Sequence, residues 1–286
     1  MLILILSFYF LTVYSLNQLS FSGGGSFGAV EIGMLKRVLE LDRKKYDLYT
    51  GISVGALNAG FLSYYSDVNV GVKYIEKIYS SLKNKMVYDI LPNTGLSLLN
   101  SKPLQNTLSS FIYSMPNESK MNTLIGTTNL YSGKLDIFNF KEQSMNDKIL
   151  LLMSSCALPG IFPPVKFKDC LYADGGILSN ELIEVLHDGS YLNITFITPH
   201  DDFIYDDSPV VSLRDVLCRT MLVLKNNFNQ PMASMNQNCK YPIGEINKYY
   251  ISSAILKNYN ILNFEKGEEL INIGYKNVLH KKYFIC

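Results

Sequence analysis

The chain has 286 residues, of which 48% are hydrophobic and 18% charged, with a formal net charge of +1. That length buries one sizeable core, and that hydrophobicity excludes a disordered tail or linker. A charge so near zero gives no electrostatic footprint for nucleic acid, so no nucleic-acid partner is expected.

Residues 1–15, from Met1 to Ser15, are apolar and carry no charged side chain. The run is short for a bilayer span. Its end, Val13-x-Ser15, has the small-residue spacing of a signal-peptide cleavage site. The expectation is a signal peptide and a secreted or lumenal protein beginning near Leu16. The alternative is an apolar strand extension in a cytosolic, membrane-associated protein. Two sequons, Asn117-Glu118-Ser119 and Asn193-Ile194-Thr195, suit the secretory route. Five cysteines, Cys156, Cys170, Cys218, Cys239 and Cys286, cannot all pair internally, and their spacing fits no zinc site.

The first strand-like run is Gln18 to Ser22. It leads into Gly23-Gly24-Gly25-Ser26-Phe27-Gly28 and then a helical run from Ala29 to Leu41. Backbone N–H groups of such a loop are suited to holding an oxyanion. The same glycines also read as GxGxxG, the dinucleotide-binding fingerprint. That fingerprint needs an acid closing the second strand. Asp47 opens that strand and Thr50 ends it, so no nucleotide cofactor is expected. Lys36, Arg37, Arg43, Lys44 and Lys45 read as a solvated helix face and its following loop.

A second strand-like run, Tyr46 to Thr50, runs into Gly51-Ile52-Ser53-Val54-Gly55, a GxSxG sequence, and then a helix from Val54 into Ala59. Gly51 and Gly55 leave no Cβ where strand turns sharply into helix. That geometry pushes the Ser53 hydroxyl toward substrate.

Met121 to Leu130 and Lys134 to Phe138 read as strands, and Ile149 to Ser155 as a helix. The helix leads to Cys156-Ala157-Leu158-Pro159-Gly160-Ile161-Phe162-Pro163. A short strand, Leu171 to Ala173, then presents Asp174-Gly175-Gly176. Alone, Asp-Gly-Gly is a turn. A serine nucleophile, however, needs a base for its proton, and Asp174 is the candidate. A free aspartate has a pKa of about 3.9, so it must sit within hydrogen-bond reach of Ser53 in a dry site.

Leu192 to Thr198 reads as another strand. His200-Asp201-Asp202 and Asp206-Asp207-Ser208-Pro209 read as a solvated acidic loop. Leu213 to Asn227 and Glu265 to Val278 read as helices. The alternation of strands and helices predicts an α/β fold with a mostly parallel central sheet, helices on both faces and a C-terminal helical extension. Residues 18–187 carry the motifs, and 188–286 complete the same fold. The histidines, His187, His200 and His280, leave room for a Ser-Asp-His triad, but Ser53 follows only the second strand, too early for an α/β-hydrolase.

Taken together, the glycine loop, the GxSxG elbow, the stretch Ala157 to Pro163 and the Asp-Gly-Gly turn resemble the patatin-like phospholipases, over residues 18 to 186. The resemblance implies a Ser–Asp dyad, with Ser53 as nucleophile and Asp174 as base. It implies Gly23, Gly24 and Gly25 as the oxyanion loop, with Gly28, Gly51, Gly55, Gly175 and Gly176 as motif positions. It implies hydrolysis of a membrane phospholipid or other acyl lipid, with peripheral membrane contact and no metal. The chain departs from the family pattern twice. Phe27 stands where Arg or Lys is usual, and Glu181 follows Asn180 where proline is common. Phe27 is the main argument for a rival reading, a catalytically silent lipid-binding protein on the same scaffold.

Overall fold

The computed structural model describes residues 15–90, 95–183, 191–199, 212, 213, 216, 217, 219, 220 and 243–284. Residues 1–14, His187, His200, the acidic loop, most of the expected 213–227 helix, Cys218, Cys239 and Cys286 lie outside them.

Among the described residues the strands are β1 (Ser15–Phe21), β2 (Leu48–Ile52), β3 (Asn122–Asn129), β4 (Lys134–Asn139), β5 (Val165–Phe167), β6 (Cys170–Asp174), β7 (Tyr191–Ile197), β8 (Ile243–Tyr250) and β9 (Leu279–Phe284). They form one sheet in the order β5-β6-β3-β2-β1-β7-β8-β9, with β4 also paired to β3. The five central strands, β3-β2-β1-β7-β8, run parallel. Antiparallel strands close both sides: β4 and β6 on β3, β5 on β6, and β9 on β8.

Among the described residues the helices include α1 (Gly28–Leu41), α2 (Val54–Leu62), α3 (Val68–Ser81), α4 (Asn84–Val87), α5 (Lys102–Ser114), α6 (Met145–Ser155), α7 (Ser253–Leu256) and α8 (Gly267–Asn277). Leu19 and Phe21 of β1 turn into the main core, where they meet Val30, Ile32, Met34 and Leu35 of α1, and Leu270 and Ile271 of α8. The alternate residues, Gln18 and Ser20, face the other way and donate hydrogen bonds to Leu182 O. That period of two is what a strand between two layers imposes. A smaller cluster of Leu192, Ile194, Phe196 and Ile246 packs with Leu16, Ile183 and Tyr283.

The C-terminal part is more than a helical extension. It holds the expected helix, as α8, and also adds β8 and β9 to the sheet. Neither strand shows clean apolar alternation: β8 reads IGEINKYY and β9 reads LHKKYF.

The register places the site. β2 pairs with Asn122–Gly126 of β3, ending at Ile52 opposite Gly126. Where β2 stops, β6 takes its place, with Asp174 opposite Thr127. Ser53, the next residue after β2, therefore emerges beside the end of β6.

The two sequons differ in the fold. Asn117 is exposed. Asn193 lies inside β7, its Nδ2 donating to Ser15 Oγ and Asn17 Oδ1 and its Oδ1 accepting from Glu245 N. A glycan on that Nδ2 would displace its hydrogen bonds to Ser15 and Asn17. No helix among the described residues is long and apolar enough to cross a membrane.

Candidate active site

Ser53 sits at the corner between β2 and α2 with φ 56° and ψ −128°. A non-glycine residue at positive φ is strained, and such strain persists only where its surroundings hold it. Here Ser155 holds it. The Ser53 N–H donates to Ser155 Oγ at 2.9 Å, and Ser155 Oγ donates in turn to Gly126 O at 2.7 Å. The corner is also tight: a Cβ on Gly55 would lie 2.5 Å from the carbonyl oxygens of Phe21 and Ser22.

Asp174 ends β6 and is 2% exposed. Ser53 Oγ donates to its Oδ2 at 2.7 Å, and the Gly176 N–H donates to its Oδ1 at 2.8 Å. Its backbone is pinned as well. The Asp174 N–H donates to Ala157 O at 2.9 Å, and Thr128 Oγ1 donates to Asp174 O at 2.9 Å. Burial pushes the carboxyl up to about 6, against the lowering effect of the hydrogen bonds from Ser53 and Gly176. A carboxyl in that range is a far better base near neutral pH than a free aspartate.

The glycine loop closes the corner. A Cβ on Gly23 would lie 3.1 Å from Ser53 Cβ, so the loop passes directly against the serine. Gly25 has φ 58°, and a Cβ there would meet Ile261 O at 2.3 Å. The Ser26 N–H donates to that same oxygen at 2.7 Å, and Ser26 Oγ donates to Asn260 O at 3.1 Å. The C-terminal part thus holds the loop in place. The Gly23 N–H donates to Asn180 Oδ1 at 3.2 Å. The N–H groups of Gly24 and Gly25, both half-buried, donate to no acceptor among the described residues.

Behind the loop lies Glu31, with no exposure. Its carboxylate accepts from Ser22 N at 3.0 Å, Ser22 Oγ at 3.1 Å and Asn58 Nδ2 at 2.9 Å. Asn58 Oδ1 accepts from Tyr79 OH at 2.8 Å. This network ties the residue before Gly23 to the helix after Ser53. A buried charge is tolerated only with such partners. The sequence signal for it was a glutamate inside the apolar run Ala29-Val30-Glu31-Ile32. Ser155 and Asn58 gave no comparable signal, because each is one polar residue in a helix.

Phe27 is 3% exposed and belongs to the core. The departure at this position therefore adds apolar packing beside the loop. His280 Nε2 is paired with Asn247 Oδ1 at 2.8 Å, and its ring stacks on Tyr249. Asp174's side-chain partners are Ser53 and Gly176. No group of three His, Cys, Asp or Glu suited to a metal occurs among the described residues.

The family model described as patatin-like phospholipase matches residues 19–187. The chain belongs to the patatin-like phospholipase family. Every motif position named above, from Gly23 through Gly176, falls inside this patatin-like span. The chain is 24% identical over 288 residues to Uncharacterized protein R571 of Acanthamoeba polyphaga mimivirus, covering 92% of each protein. The crystal structure of VipD from Legionella pneumophila matches with a TM-score of 0.43 and 14% identity. That match covers 92% of this chain and 65% of VipD, so the chain spans just under two thirds of VipD's length. The second departure from the patatin-like pattern, Glu181, has a structural reason. Its Oε1 lies 3.0 Å from Lys248 Nζ, in an ion pair whose side chains are 15% and 7% exposed.

Ser155→Ala is expected to loosen the elbow. It leaves the Ser53 N–H without its acceptor and Gly126 O without its donor. Two lost hydrogen bonds of this kind cost about 1–3 kcal/mol in stability, and the displaced hydroxyl lowers kcat about tenfold. Thermal melts and kinetics on a soluble ester check this. An unchanged Tm and kcat would show that Ser155 does not hold the elbow.

Proposed function

We propose that this protein is a lipid acyl hydrolase of the phospholipase A or lysophospholipase type, working through a Ser53–Asp174 dyad. The observation that carries the reading is the 2.7 Å hydrogen bond from Ser53 Oγ to a buried carboxylate. Ser53 Oγ attacks the ester carbonyl carbon as its proton passes to Asp174. The oxyanion forms against the N–H groups of the glycine loop. Collapse of the tetrahedral intermediate expels the alcohol, which takes the proton from Asp174, and leaves an acyl-serine. Asp174 then deprotonates a water molecule that attacks the acyl carbon. The fatty acid leaves, and the proton returns to Ser53.

The surface beside the site supports a substrate presented in a membrane. Ile90, Leu96 and Leu98 are 79%, 62% and 39% exposed. The backbone N–H groups of Leu98 and Leu99 donate to Gly160 O and Ile161 O, both at 2.9 Å. That Pro-Gly loop begins at Ala157, the residue that anchors the Asp174 backbone. Leu98 and Leu99 therefore lie against the loop that precedes the Asp174 strand, and Lys85 and Lys102 flank this apolar rim on the chain. We read it as the face that touches the lipid surface.

Two substrates test the reading. Purified protein is expected to release fatty acid from phospholipid vesicles and to cleave a soluble p-nitrophenyl ester, each unaffected by chelator. The double variant Ile90→Ser, Leu96→Ser is expected to lose at least about fivefold on vesicles while keeping its rate on the soluble ester. Equal rates on vesicles would remove the rim from membrane contact. A protein inert toward every ester and unreactive to fluorophosphonate would be the silent lipid binder instead.

A further inference from the structure

We infer that Asn180 is a positioning residue of the oxyanion site, joining the glycine loop to the loop that carries Asp174. The inference rests on the acyl-hydrolase reading and adds to it a residue that neither the dyad nor the glycines account for.

Asn180 follows the 3-10 turn Gly175–Ile177 and is 5% exposed. Its Oδ1 accepts the Gly23 N–H at 3.2 Å. The same oxygen would lie 2.8 Å from a Cβ on Gly23 and 3.7 Å from one on Gly176. One carboxamide oxygen is thus wedged between the two loops, in the corner that also holds Ser53. Because an N–H points at it, the amide orientation is set: the oxygen faces Gly23.

The segment around Asn180 is fastened with unusual density. Ser179 Oγ donates to Glu181 O at 2.6 Å. Glu181 pairs with Lys248 of β8. Leu182 O accepts three side-chain donors: Gln18 Nε2 at 2.7 Å, Ser20 Oγ at 3.1 Å and Thr50 Oγ1 at 3.1 Å. Gln18 and Ser20 belong to β1, which runs directly into Gly23. Both ends of the Gly23–Asn180 bond are therefore held by the same strand. Such an arrangement fixes a peptide plane to within the tolerance an oxyanion site needs.

The consequence concerns the donors. With the Gly23 N–H given to Asn180, the free N–H groups are those of Gly24 and Gly25. Three successive glycines have no side chains to hold their orientation, so they are fixed from their two ends, by the Asn180 bond at Gly23 and by the contacts of Ser26 with Ile261 and Asn260. The neutral carboxamide matters as much as its shape. A carboxylate at this position would also accept from Gly23, but its charge would oppose both the oxyanion and the ionised Asp174.

Asn180→Asp and Asn180→Ala test this together, with kinetics on a soluble ester and the rate of fluorophosphonate labelling at Ser53. Asn180→Asp keeps the acceptor for the Gly23 N–H. Its kcat is expected to fall about 100-fold with KM within about threefold, because the added charge opposes the oxyanion. The acid limb of its pH–rate profile is expected to move upward, because a second carboxylate disfavours ionisation of Asp174. Asn180→Ala is expected to lose at least about tenfold in kcat and in labelling rate. Should the alanine variant fail to fold, Asn180→Ser carries the positioning test, with the same losses expected. Folded variants with kcat within about threefold of the parent, the same pH profile and the same labelling rate would overturn the inference. A parent protein inert to both ester and probe would instead overturn the acyl-hydrolase reading, and this inference with it.

Discussion

Replacing Asp174 with asparagine is expected to abolish ester hydrolysis and to make the protein more stable at neutral pH. The loss of activity follows from the proposed role of Asp174 as base: an amide cannot take the Ser53 proton, and general-base removal costs on the order of 10²–10⁴ in rate. The gain in stability follows from burial. Asp174 is 2% exposed, and burial pushes its carboxyl up to about 6. In the unfolded chain the same group titrates near 3.9. A carboxyl raised on folding stabilises the fold fully below the unfolded value, and that contribution is lost as pH rises through the folded value. Between about pH 4 and 6 the parent therefore sheds on the order of 2–3 kcal/mol that the variant has no charge to shed. The difference in Tm between variant and parent should be small near pH 4 and widen to a plateau above pH 7. The parent's kcat/KM should rise with pH and level off above about 6, the range in which Asp174 ionises. A variant no more stable than the parent at pH 7.5 would mean that Asp174 is not held as a desolvated carboxylate. A variant with near-parent activity would remove it as the base.

The sequence disclosed the site where backbone geometry forced a residue type. Gly55 must pass within 2.5 Å of two carbonyl oxygens, and Gly25 must take φ 58° against Ile261 O. Both demands admit only glycine, so both appear in the sequence as glycine motifs. The strands β1, β2, β3 and β7 were legible for a similar reason. They lie inside the sheet; β2, β3 and β7 are rich in apolar or β-branched residues, and β1 places the apolar Leu19 and Phe21 in alternation with Gln18 and Ser20. β8 and β9 were not legible. β9 is an edge strand in which Lys281 and Lys282 replace alternation, and β8 turns Lys248 inward, where it pairs with Glu181. That pairing joins residues far apart in the chain, and no local pattern announces it.

The supporting residues of the site were hidden by the same logic. Ser155, Asn58 and Asn180 act through single hydrogen bonds to atoms that only the fold brings near. Asp174 itself was readable as a candidate only because of the motif around it. Its meeting with Ser53 depends on β6 taking over along β3 where β2 ends, which is a fact of register. Glu31 lies between these cases. A carboxylate inside an apolar helical run announces a buried network, but not which loop that network supports.

Replacing Ser53 with alanine is expected to have the largest effect on activity and one of the smallest on the fold. In the proposed mechanism the hydroxyl is the atom that bonds to the acyl carbon, so its loss costs at least about 10⁴-fold, and the background left is that of binding and the oxyanion loop alone. The backbone at this corner does not depend on it. The elbow is held by the Ser53 N–H on Ser155 Oγ and by the packing of Gly55 under β1, and alanine retains both. The one bond removed is that to Asp174 Oδ2, a bond that lowers the carboxyl's pKa. Without it the aspartate is expected to titrate higher still. Fluorophosphonate should label the parent at Ser53 and leave the alanine variant unlabelled, while His280→Ala, whose imidazole is engaged with Asn247, should label at the parent rate. His187→Ala and His200→Ala should do the same. A histidine variant as inert as Ser53→Ala would replace the dyad with a triad. Substantial hydrolysis by Ser53→Ala itself would end the serine mechanism.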